Sequence, residues 1–287
     1  MRHVITLSTI PPRFAEIGPT LASLVTQRSR PEAVELHIPA SYRRFPGWGG
    51  ALPEVPDGVT IVRGDQDFGP ATKILPAVRR YRGQRVELLY VDDDHVYAPD
   101  WAERFLRARA ARPEAAVCAA ATTLERMGRP WAAPRPEPQA VVAPGYLHQP
   151  AFLARRAVMA AVSGGRAKIV TMPPFRKLDR SGYTDIAEGY AGVALRPEFL
   201  GEAAFGIPPV LWAVDDVWLS GHLAAAGVPI WADKGLNRAR AQHRVSRTEP
   251  LYAAVIEGAG RREANQACID HMRAAYGIWG GAATQST

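Results

Sequence analysis

The chain has 287 residues, 22% of them charged and 47% hydrophobic, an ordinary globular usage that excludes a disordered or fibrous chain and suits one large α/β unit. The formal charge of +7 is nearly all arginine, with only Lys73, Lys168, Lys177 and Lys234 as lysines, and no long block of like charge marks a nucleic-acid-binding tail. Two distant cysteines, Cys118 and Cys268, suggest neither a disulfide framework nor a cysteine-based zinc site, and the apolar run at residues 4–10 is too short for a signal peptide or a membrane span, so a cytoplasmic chain is expected.

Residues 4–10 are rich in β-branched side chains and stop at Pro11 and Pro12. Ile17, Leu21, Leu24 and Val25 then recur at helical spacing, so a strand, a turn and an amphipathic helix are expected. Short strands at 34–38 and 59–62, a helix over 71–81, a strand over 86–91, a helix containing Trp101 and Phe105 after Pro99, and a strand over 115–121 continue the alternation. That pattern predicts a mainly parallel sheet flanked by helices. Prolines make residues 129–138 and 171–177 loops, with a helix between them over 151–162. A helix over 214–226 ends at Gly227 and leads into a strand at 228–232. Residues 249–276 read as helical, broken around 258–260. No repeat and no boundary between independent domains is evident.

The most informative stretch is residues 87–95, where an apolar strand runs into Asp92, Asp93 and Asp94. Ligands of α/β folds bind at sheet ends, and three adjacent acids repel one another unless a cation or strong donors compensate. Oxygen ligands of this kind suit Mg2+ or Mn2+ together with a diphosphate. At an extended strand end Asp92 and Asp94 would point one way and Asp93 and His95 the other, pairing Asp92 with Asp94 around one metal. A solvated acidic turn is the bland alternative.

This segment resembles the GT-A glycosyltransferases, in particular the family 2-like members, whose hydrophobic strand ends in an Asp-X-Asp motif holding a divalent cation against the diphosphate of a nucleotide-sugar donor. The resemblance implies a GT-A-like, Rossmann-type sheet flanked by helices as one unit over 1–287. Residues 1–125 would bind the donor, 126–245 would carry the acceptor and catalytic side, and 246–287 would be C-terminal helices. It makes Asp92 and Asp94 the metal ligands and Asp92 and Asp93 donor contacts. His243, in the position of a third metal ligand, would complete the metal set, although a lone histidine is more often structural.

Asp215 and Asp216 open the helix after Val214. Acids in a first helical turn are favoured by the helix dipole alone. The two acids, the helix and the following Gly227 to Trp231 also resemble the later acidic motif of inverting members, which implies Asp216 as the base that deprotonates the acceptor hydroxyl and Asp215 as its positioning partner. The Gly69-Pro-Ala-Thr-Lys73 segment resembles donor-binding turns of the family, implying nucleotide contacts from Asp67 and Lys73. By position at the first strand end, Thr6, Ser8 and Arg13 would meet the base and ribose. Gly192, between the two acidic motifs, would line the donor sugar, or else form a tight turn into a buried strand. Trp212 and Trp218 fit an acceptor-stacking role and a core role equally.

The resemblance therefore implies a UDP- or GDP-sugar donor, a glycan or other hydroxyl acceptor and Mn2+ or Mg2+. It implies no nucleic-acid partner, and the basic C-terminal helices leave association with the inner face of a membrane open. A haloacid-dehalogenase-like phosphatase is the sharpest rival, with Asp92 as nucleophile, Asp94 as acid and base, and Asp215 and Asp216 on Mg2+. That motif normally opens the first strand, whereas about three strand units precede it here. Nucleotidyl transfer would call for a glycine-rich phosphate loop that residues 6–13 lack, and a non-catalytic nucleotide- or glycan-binding module would tolerate loss of Asp216.

Overall fold

The computed structural model describes residues 1–131, 135–145, 148–162, 177–237, 239–242, 245, 248–249 and 260–280. The chain opens with β1 (His3–Ser8), α1 (Gly18–Val25), β2 (Ala33–Pro39), β3 (Val59–Gly64), α2 (Leu75–Tyr81), β4 (Glu87–Tyr90), β5 (His95–Tyr97), α3 (Trp101–Ala111) and β6 (Ala116–Cys118). It continues through β7 (Ala121–Thr122), β8 (Val141–Val142), α4 (Pro150–Val162), β9 (Leu178–Arg180), β10 (Gly182–Thr184), β11 (Ile186–Ala187) and β12 (Val193–Leu195). The last elements are α5 (Asp215–Ala225), β13 (Ile230–Ala232), β14 (Ala239–Ala241) and α6 (Arg261–Tyr276).

Eight strands form the central sheet in the order β10-β13-β6-β12-β4-β1-β2-β3. β3, β2, β1 and β4 run parallel, with Thr6 of β1 opposite Glu35 on one side and Tyr90 on the other. β12 enters antiparallel between β4 and β6, β13 runs parallel to β6, and antiparallel β10 closes that edge. The fold is thus a mixed α/β layer structure around a large, mostly parallel sheet.

Both faces of the sheet are covered, which is why β1 and β4 are almost uninterrupted runs of buried residues rather than alternating ones. Leu88 and Tyr90 face a core shared with Leu75 and Val78 of α2, Trp218 and Leu219 of α5, and Ile269 of α6. Leu89 and Val91 face the opposite core, built on Leu21 and Leu24 of α1 and Trp101 and Phe105 of α3. Each fully buried Leu or Phe contributes about 1.5–3 kcal/mol. Arg109 is buried on α3 because its guanidinium donates to Glu87, with Nε 2.8 Å from Oε2.

Three expectations change in detail. The helix expected over 71–81 begins as a 3-10 turn at Gly69–Lys73, with Pro70 and then Pro76 each starting a helical segment where no donor is needed. The strand expected over 115–121 divides into β6 and β7 because Ala119 turns to donate to the carbonyl of Gly192 and β7 leaves the main sheet for β11. The C-terminal helix spans Arg261–Tyr276, and the preceding residues 250–259 lie outside the described residues.

Candidate active site

The carboxyl ends of β1 and β4 and the N-terminus of α5 surround a cleft of about 410 Å3. Ser8, Arg13, Asp67, Lys73, Asp92, Asp93, Asp94, Asp215 and Asp216 all line it, so nine sequence-predicted residues from four chain segments meet there. Thr6 and Gly192 are not among its lining residues, and His243 lies outside the described residues.

Lys73 joins the two acidic segments. Its ammonium lies 2.5 Å from Asp92 Oδ1 and 2.8 Å from Asp215 Oδ2, with the residue only 4% exposed. Burial alone would lower its pKa, but Asp215, Asp92 and Asp216 outweigh burial and hold it well above the ordinary lysine value. Thr6 sits behind this ion pair, its hydroxyl donating to the Lys73 carbonyl, so it fixes the lysine's backbone rather than facing the cleft.

The three consecutive acids have three different environments. Asp92 shares Lys73 and keeps about a third of its side chain exposed. Asp93 accepts from the Arg13 guanidinium at 2.6 Å and from the Thr9 hydroxyl at 2.5 Å, and burial still raises its carboxyl to about 6 against the pull of Arg13. Asp94 Oδ1 lies 2.6 Å from Nδ1 of His95. Strand alternation would turn His95 away from Asp94, but residues 93 and 94 form a turn before β5, so adjacent side chains converge. β14 packs beside β5, and the backbone N–H of Gln242 donates to the Asp94 carbonyl at 2.7 Å.

Asp216 faces the cleft with about a fifth of its side chain exposed. Burial first, and then the Asp215 carboxylate, raise its carboxyl from the ordinary 3.8 to about 7, with Lys73 and Arg261 pulling the other way. The backbone N–H of Gly189 donates to its Oδ1 at 2.9 Å, and Arg261 at the start of α6 stands 3.9 Å from Oδ2. Asp215 is 4% exposed, and Lys73 is its only ionic partner among the described residues.

Gly189 and Gly192 make different close approaches, and neither is among the residues lining the cleft. A Cβ on Gly189 would lie 2.5 Å from the Lys73 ammonium, so the bare backbone lets the lysine sit beneath Asp216. Gly192 has φ +108° and packs against the indole of Trp101, leading into buried β12. Asp67 uses both carboxylate oxygens on turn backbone, accepting from Arg43 and Gly69 N–H groups at 2.8 Å each. Trp212 lines the cleft over Gly69, whereas Trp218 is buried in the core and donates to the Ala204 carbonyl at 2.8 Å.

The cleft wall carries seven carboxylates against four cationic side chains, Arg13, Arg44, Lys73 and Arg261. A diphosphate entering it alone would meet excess negative charge. Asp92 and Asp94 present hard oxygen donors to the same cleft, which fits a cation that binds through one or two carboxylates and completes its shell with phosphate and water. Among the described residues no three His, Cys, Asp or Glu side chains gather as a metal-ligand group.

No family model matches the sequence, and no curated protein matches it. Among solved structures, the chain is similar to S. aureus TarS 1–349 in complex with UDP-GlcNAc, at 13% identity and TM-score 0.47 over 89% of this chain and 62% of that one. It is also similar to the mannosyltransferase PcManGT from Pyrobaculum calidifontis in complex with GDP-Man and Mn2+, at 17% identity and TM-score 0.43 over 82% and 55% of the two chains. A third is GalNAc-T7 with UDP, GalNAc and Mn2+, at 12% identity and TM-score 0.46 over 81% and 42%. At such identities and scores, the chemistry open to this chain rests on its own cleft.

Several cleft residues carry no sequence signal of their own. Thr9 and Tyr42 brace the wall, the Tyr42 hydroxyl donating to the Thr9 carbonyl at 2.8 Å. Arg44 and Arg261 come from a loop and from a helix start remote in sequence. Gly189 stood within a segment already marked by its glycines, and its i+3 spacing to Gly192 gives no indication of which one meets the acids.

Proposed function

We propose that this chain transfers a sugar from a nucleoside-diphosphate donor to a hydroxyl acceptor, with inversion at the sugar carbon. The observation that carries this reading is one cleft in which the acids ending β4 and the acids opening α5 flank the same buried lysine. The donor side would be residues 1–125 and the acceptor side residues 126–245, in a GT-A-like arrangement. The donor would be of the UDP- or GDP-sugar class implied by the sequence resemblance.

A divalent cation, Mn2+ or Mg2+, held by Asp92 and Asp94 would offset the charge of the departing diphosphate. Arg13, anchored on Asp93, and the turn at Gly69–Lys73 would orient the nucleotide. Asp216 has a carboxyl near 7, so at neutral pH a large share is ionised and able to accept a proton from an acceptor hydroxyl. As that oxygen bonds to the sugar carbon, the bond to the diphosphate breaks and the diphosphate leaves with the electron pair. Asp215, ion-paired with Lys73, would hold Lys73 and the start of α5 in place.

A phosphatase is not favoured: β1, β2 and β3 all precede the acid-bearing strand, and antiparallel β12 lies beside it in the sheet. The test is release of nucleoside diphosphate from a panel of UDP- and GDP-sugars with Mn2+ and a mixed hydroxyl-acceptor pool. Turnover of one donor that vanishes in Asp216→Asn supports transfer. Hydrolysis of simple phosphate monoesters with no response to any nucleotide-sugar would replace it with the phosphatase.

A further inference from the structure

The C-terminal helix α6 is remote in sequence from the acids of the cleft, yet it packs against α5, the helix that Asp215 and Asp216 open. Ala264, Cys268, Ile269 and Met272 are buried in the core shared with Trp218 and Leu219 of α5. Gly221 permits the close approach of the two helices, since a Cβ there would lie 2.7 Å from the Met272 methyl carbon. This packing fixes where α6 starts, and its first residue, Arg261, lines the cleft beside Asp216.

The two oxygens of the Asp216 carboxylate are held from two different segments. The Gly189 N–H donates to Oδ1 at 2.9 Å, and the Arg261 guanidinium stands 3.9 Å from Oδ2. At that distance Arg261 acts through its charge rather than through a direct hydrogen bond. Lys73 does not duplicate it, because the lysine ammonium is ion-paired with Asp92 and Asp215. The remaining charged groups acting on Asp216 are Asp215 and Asp92, which disfavour its ionised form, and Lys73, which favours it as Arg261 does.

We infer that Arg261, delivered by α6, is a positioning residue for Asp216 and holds its carboxylate towards the cleft as the base of the reaction. The inference rests on the reading of Asp216 as that base, and it gives the C-terminal helix a part in the site. A cation within about 4–6 Å lowers a carboxyl by about one to three pH units. A third of the Arg261 side chain is exposed, and solvent screening reduces this to about half to one pH unit. Losing the guanidinium therefore raises the Asp216 midpoint from about 7, and the share ionised at pH 7 falls about two- to fivefold. At pH 9 the carboxyl is ionised with or without Arg261, so the deficit closes.

The test is a carbon-13 NMR titration of the aspartate carboxyls in the labelled full chain, in chelator and without donor, with Asp216→Asn identifying the resonance. The midpoint is expected to rise by about half to one pH unit in Arg261→Gln and to stay near the wild-type value in Arg261→Lys, both variants keeping the wild-type melting temperature. In donor turnover, kcat/KM of Arg261→Gln is expected to be about two- to fivefold low at pH 7 and close to wild type at pH 9. An unchanged midpoint in Arg261→Gln, or a turnover deficit equal at both pH values, overturns the inference. A raised midpoint in a chain whose wild type turns over no nucleotide-sugar would remove the transfer reading while still supporting the pairing of Arg261 with Asp216.

Discussion

Lys73→Met removes the cation shared by Asp92 and Asp215 while keeping most of the side-chain length. Asp215 is the group most affected by this change, because it is 4% accessible and Lys73 is its only ionic partner among the described residues. Leaving one member of a buried ion pair alone costs about 3–5 kcal/mol. At an unfolding entropy of about 2.1 cal/mol/K per residue, that loss lowers the melting temperature of a 287-residue chain by about 5–8 °C. The loss depends on pH. The folded-state carboxyl of Asp216 is raised from 3.8 to about 7, so between these values the folded chain binds more protons than the unfolded one and stability falls as pH rises. Without Lys73 the carboxyl rises further, and a proton on Asp216 relieves its repulsion with Asp215. The drop measured by scanning calorimetry in chelator is therefore expected to be large at pH 8 and smaller at pH 6. A drop under about 1 °C, or one equal at both pH values, would refute the view that Lys73 is the counter-ion of this cluster.

Donor turnover should rise with pH through about 7 as Asp216 becomes a carboxylate, and a flat profile from pH 5.5 to 8 in kcat/KM would remove Asp216 as the base. Asp216→Asn should bind the nucleoside diphosphate with unchanged affinity by calorimetry and lose transfer. Gly189→Ala places a Cβ 2.5 Å from the Lys73 ammonium and 3.2 Å from the Tyr90 ring, so it should cost about 1–3 kcal/mol in denaturant unfolding and lower turnover by about tenfold or more. Gly192→Ala, with φ +108° and a Cβ 2.5 Å from the Trp101 ring, should cost a similar amount of stability but leave nucleotide affinity as it was.

Much of the architecture was legible because it is written in local periodicity. The β-branched run before Pro11, the apolar run before Asp92 and the helical spacing from Trp101 to Phe105 each appear as β1, β4 and α3. The antiparallel insertion of β12 was not legible: strand direction within a sheet depends on which neighbours a segment pairs with, and the three residues Val193–Leu195 carry no record of that. The acids of the cleft stood out because adjacent carboxylates are costly without a compensating group. Their individual partners were hidden, since Arg13, Lys73 and His95 reach Asp93, Asp92 and Asp94 through a turn that breaks strand alternation. Gly192 drew notice for its place between the motifs, yet its conformation serves the approach of Trp101, while three residues earlier Gly189 supplies the amide to Asp216.

The most direct measurement is calorimetric titration of the wild-type chain and of Asp94→Ala with UDP and GDP, each with Mn2+ and with chelator. One diphosphate is expected to bind the wild type only with Mn2+, and at 100 times its Kd to stabilise the fold by about 2.7 kcal/mol, while Asp94→Ala loses this metal-dependent binding. Equal affinity in Asp94→Ala, or in the wild type with and without Mn2+, would contradict a cation held by Asp92 and Asp94 against a donor diphosphate.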